Sequence, residues 1–95
     1  MKPPSRVRFD GSPTLFEVLE WGEDPASPFR RWWFAVEAPE PSPAAAFLEK
    51  LALSGRYVPV HTPTRALGTV VCNVPISRDG VFTAYFAGVG EPLLR

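Results

Sequence analysis

FRRWWFAVEA, residues 29–38, is the stretch on which the fold turns. It mixes aromatic and β-branched residues in alternation with smaller or polar ones, the composition of a strand. Adjacent strand residues point to opposite faces of a sheet. Trp32, Phe34 and Val36 therefore share one face, and Trp33, Ala35 and Glu37 the other. One of the two tryptophans enters a core. Its neighbour is placed on a second face, and what meets that face is the functional question.

Upstream, TLFEVLEW (14–21) reads two ways. As a helix, Ser12 would cap it, Pro13 would take the first turn and Gly22 would end it. As a strand, Phe16 and Val18 lie on one side and Leu15, Leu19 and Trp21 on the other. The strand is preferred, because so short a helix is marginal and because the GEDPASP loop (22–28) suits a hairpin into the Trp segment. Downstream, Pro39, Pro41 and Pro43 punctuate the chain. SPAAAFLEKLALSG (42–55) then predicts a helix over 43–54, with Ser42 as cap, Pro43 in the first turn and Gly55 as the left-handed stop. Ala44, Phe47, Leu48 and Leu51 form its apolar stripe.

Three more strands complete the chain. RYVPVH (56–61) carries Pro59, which lacks a ladder donor and predicts an edge position. TVVCNVPI (69–76) puts Val70, Cys72 and Val74 on one side. VFTAYFAGV (81–89) is apolar on both sides, with Phe82, Ala84 and Phe86 opposite Val81, Tyr85, Ala87 and Val89. Asp79-Gly80 predicts a tight hairpin between them, a type I turn with a glycine bulge. The expected architecture is one α+β domain over residues 1–95, with a disordered tail at 1–5. It is a two-layer fold: an antiparallel sheet of about five strands, in chain order β-β-α-β-β-β, with one helix packed on one face.

One helix covers one face of such a sheet. An antiparallel sheet with a wet second face alternates apolar and polar residues, and these strands do not. The candidate interaction surface is therefore Arg31, Trp32 or Trp33, Tyr57, Tyr85 and Val89, and the simplest cover for it is a second copy about a two-fold axis.

Composition narrows the function. Ten basic residues balance ten acidic ones. A dedicated nucleic-acid binder normally carries a basic excess. Charge is segregated, with an acidic middle segment (17–49) between basic flanks. The lone Cys72 precludes an internal disulfide. MKPPSR is not followed by the apolar core of a signal peptide, and no apolar run has membrane-spanning length, so a cytoplasmic protein is expected. Twelve prolines, one asparagine and no glutamine fit a thermophilic source.

Chemical motifs are sparse. His61 and Cys72 are the residues of a thiol nucleophile and base, but as small strand residues they have an ordinary structural reading. One His and one Cys do not supply a zinc site. Glu17, Glu20, Glu37 and Glu40 resemble a general acid–base set only in the way solvated strand edges do. GVGEP (88–92) lacks the rest of a phosphate loop. No catalytic residue, metal or cofactor is assigned. The leading expectation is a non-enzymatic homodimer or protein-interaction module working through an aromatic sheet face. A single-stranded nucleic-acid binder, with Arg30, Arg31, Arg56 and Arg65 beside Trp33, Tyr57 and Tyr85, ranks second. An enzyme ranks last.

Overall fold

A computed structural model describes residues 3–24, 26, 27 and 32–90. Among the described residues six strands and one helix run in order: β1 (Arg6–Phe9), β2 (Leu15–Glu23), β3 (Trp32–Pro39), α1 (Pro43–Ser54), β4 (Val58–His61), β5 (Ala66–Arg78) and β6 (Val81–Val89). The sheet is not open. It closes into an antiparallel barrel ordered β1-β2-β3-β6-β5-β4, so the expected two-layer arrangement is overturned. The chain makes two three-stranded meanders, β1–β3 and β4–β6, joined by α1. They meet along β3–β6 and along β1–β4.

Closure depends on β1, the RVRF segment, which the expected strand order omits. It pairs with β2 through Arg6↔Glu17 and with β4 through Phe9↔Val60. The Ser5 carbonyl extends this edge by accepting from Val18 N–H. Of the tail expected at 1–5, Met1 and Lys2 lie outside the described residues. β4 is consequently flanked on both sides rather than lying at an edge. Pro59 is tolerated because its carbonyl accepts from Asp10 N–H. In an antiparallel ladder a residue's N and C=O face the same neighbour, so the missing donor falls where the short β1 ladder ends.

Rings fill the interior. Phe9, Trp32, Phe34 and Phe86 are fully buried. Phe9 sits 4.6 Å from Phe86, and Phe34 5.6 Å from Phe86, between ring centroids. Trp21 joins them, stacked on Phe34 at 6.2 Å. A register shift between Val18 and Glu20 puts it there, on the same side as Phe16. The extra residue of such a bulge flips every later side chain. A second shift, between Cys72 and Val74, likewise turns Val74 outward while Val70 and Cys72 stay on the Phe86 side.

The helix forms over the predicted residues. Ser42 Oγ accepts from Ala45 N–H at 3.0 Å, and Gly55 closes it at φ 62°. Its apolar stripe presses Ala45, Leu48 and Leu51 into the core, with Ala44, Phe47 and Ala52 partly buried. The helix packs against β3, β5 and β6. It does so where the barrel opens. β2 pairs with β3 only as far as Val18↔Val36, and β4 pairs with β5 only as far as Val58↔Val70. Beyond those points β3, β6 and β5 run on as a three-stranded extension backed by α1. At its tip, Asp79 (φ 52°) and Gly80 (φ 74°) are both left-handed. That makes a two-residue type I′ turn, not the type I turn with a bulge that was expected.

Candidate functional site

The outward positions of β3 and β6 are set by their register, Trp33↔Ala87, Ala35↔Tyr85 and Glu37↔Thr83. Trp33 does reach the outer face, as alternation predicts. Its indole lies against Gly22 of β2, so close that a Cβ there would overlap the ring. Tyr85 crosses Ala35, and its hydroxyl donates to the Glu20 carboxylate, which holds the phenol above its ordinary pKa. The two rings stand 6.3 Å apart. Ala35, at 1% exposure, is buried on this outer face. The aromatic part of the face thus largely covers itself.

Other members of the expected surface are dispersed. Trp32 is removed from it altogether: its indole is fully buried and donates through Nε1 to the Gly90 carbonyl at 2.9 Å. Tyr57 is exposed, but it precedes β4, three strands round the barrel from β3. Val89 is half exposed at the far end of β6. Arg30 and Arg31 lie outside the described residues.

Leu53 of α1 is exposed by itself, but four other exposed aliphatic residues lie around the three-stranded extension. Val74 and Ile76 of β5 lie beside Tyr85 and Thr83, and Arg78 beside Val81. On the other flank, β2 has parted from β3 and a groove of about 330 Å³ opens between them. Leu15, Leu19, Pro39 and Val81 supply its apolar walls, and Glu17 and Glu37 its carboxylates. Leu15, Leu19, Val74 and Ile76 are each 40–46% exposed. This lower outer face escaped the sequence reading. A visible trace of it was the spacing of Glu17 and Glu20: in a regular strand they point oppositely, and the bulge turns both outward.

The chemical candidates do not converge. His61 is opposite Ala66, and Cys72 lies six residues further along β5. At about 3.3 Å per residue that is roughly 20 Å. Burial raises the Cys72 thiol pKa, which opposes formation of a thiolate. Of the four glutamates, Glu17 and Glu37 share the groove, Glu20 holds Tyr85, and Glu40 accepts from Ser77 Oγ at 2.6 Å. Among the described residues no cluster of three His, Cys, Asp or Glu side chains could hold a metal ion. Nor is any helix there long and apolar enough to cross a membrane.

Comparison with family models, with curated proteins and with solved structures finds no match to this chain.

Proposed function

We propose that the protein is a small association module that pairs with a second copy of itself through the lower outer face. The observation that carries this is the aliphatic set Leu15, Leu19, Val74 and Ile76, each 40–46% exposed, the first two lining the groove and the last two on β5 across β6 from it. Apolar surface gathered on one side of a small domain is what an interface uses for its core. A balanced net charge adds no global repulsion between copies. The three-stranded extension, backed by a helix on its inner side, offers a platform for it. The wide separation of His61 and Cys72 favours association over catalysis. A reducing cytoplasm, in which Cys72 stays a thiol, is the setting that goes with this role.

The test is sedimentation of the wild type from low to high micromolar concentration, beside Ile76→Glu. The wild type is expected to shift from 10.5 kDa to twice that mass. Ile76→Glu, which sets a charge in the dry centre, is expected to remain monomeric with unchanged secondary structure. A wild type that stays at 10.5 kDa throughout removes the proposal.

A further inference from the structure

The lower outer face carries complementary charges at its two ends. At one end Glu17 and Glu37, both exposed, share the groove left where β2 parts from β3. At the other end Arg78 closes β5, exposed at the hairpin tip. Glu17 faces Arg6 across the β1–β2 ladder, whereas Glu37 and Arg78 face the uncharged Thr83 and Val81 in theirs. Val81 links the ends, because it lines the groove and is the register partner of both Arg78 and Pro39.

We propose that the dimer forms by reciprocal insertion: the second copy's Arg78 enters the groove between Glu17 and Glu37, and its own groove receives the first copy's Arg78. This rests on the self-association proposed for the same face and specifies its geometry. An isologous interface needs each surface to carry both the inserting group and its receptor, on either side of one axis. The Pro39–Val81 pair supplies the position for that axis, since groove and guanidinium flank it. Arginine suits the task because its planar fork donates to two carboxylates at once. The groove's apolar walls of Leu15, Leu19 and Pro39 exclude water from the pair, so the attraction is stronger than at an open surface.

The other route to a dimer is strand addition along the open edge of β5. Beyond Cys72 that strand has β6 on one side and, among the described residues, no strand on the other. Pro75 lies within this edge. Proline on an exposed edge lacks a ladder donor and is a known obstacle to edge-to-edge pairing. Association is therefore directed to the face and its groove.

The experiment measures the dimer dissociation constant by sedimentation for wild type, Arg78→Glu, the double variant Glu17→Arg/Glu37→Arg, and the triple variant carrying all three changes. All three positions are exposed, and circular dichroism with thermal melting checks that each variant folds. Arg78→Glu and the double variant are each expected to weaken the dimer by about ten-fold or more. The triple variant, with the charges exchanged, is expected to regain most of the loss. The wild-type constant should also rise with salt. A dimer that Ile76→Glu dissociates but Arg78→Glu leaves unchanged keeps the interface and overturns the insertion. Loss in both reversals without recovery in the triple variant overturns it as well. A monomeric wild type removes the self-association reading together with it.

Discussion

Trp32 lies with its indole flat against the backbone of Gly88 on β6, in a space that a single added carbon would close. A Cβ at Gly88 would overlap the Trp32 ring, and one at Gly68 on β5 would come within 2.8 Å of it. The fully buried indole is held at its polar end by the Gly90 carbonyl, so it has nowhere to retreat. Gly88→Ala is expected to destabilise by roughly 1–3 kcal/mol or more, as overpacking in a filled core does. Melting should fall by about 4–8 °C for each kcal/mol in a domain of this size. Gly22→Ala makes the comparison. It meets Trp33 in the same way but on the outer face, where the ring is only partly buried, so its loss should be smaller. Equal melting points for the two variants would contradict this packing.

Leu48 is the residue through which the helix seals the barrel. It is fully buried, on the helix that backs the three-stranded extension. Leu48→Ala should cost about 2–5 kcal/mol, the transfer term plus the cavity left behind. Glu49→Ala, one residue away and exposed, should stay within about 0.5 kcal/mol. Urea denaturation of the two variants decides it. A Leu48→Ala midpoint close to that of the wild type would mean that the helix is not packed on the strands.

These positions also mark how far the sequence alone could reach. The helix was legible to the residue because its signals are local: Ser42 caps it, Pro43 starts it and Gly55 ends it. β6 was legible because turn residues bound it and its run of aromatic, β-branched and small apolar residues is too short for a buried helix. The opposed faces of Trp32 and Trp33 came from alternation alone. Closure was not legible. It rests on the four residues of β1, too few for a periodic signal, which pair on one side with β2 and on the other with the distant β4. Once the sheet closes, its inner face is covered by itself, and the second apolar face that seemed to require a partner shrinks. The two bulges hid the rest. Each reverses the facing of the residues beyond it, so Trp21 moves inward and Val74 outward. The sequence carries no strong mark of either, because a bulge is fixed by the pairing of distant strands. The groove has the same origin: β2 leaves β3 to pair with β1, a choice made by tertiary pairing.

Tyr85 and Glu20 report on that outer face through pH. The hydroxyl donates to the carboxylate, and the negative charge of Glu20 opposes loss of the phenolic proton; both raise the pKa above 10.0, with desolvation a lesser cause. A group whose pKa is raised in the folded state contributes stability that is complete below the unfolded value. It is lost as pH climbs through the folded value. The contribution should therefore be intact at neutral pH and disappear in the alkaline range, above the ordinary phenol pKa. Ultraviolet titration of phenolate absorbance should show a tyrosine ionising above that ordinary value in the wild type. Tyr85→Phe should abolish this step, and Glu20→Gln, which keeps a hydrogen-bond acceptor without the charge, should move it back toward 10.0. In urea melts the wild type should lose stability on passing into that alkaline range, and Tyr85→Phe should lose less. If Glu20→Gln leaves the titration where it was, Glu20 is not the partner, and the ring is not held across Ala35 by that carboxylate.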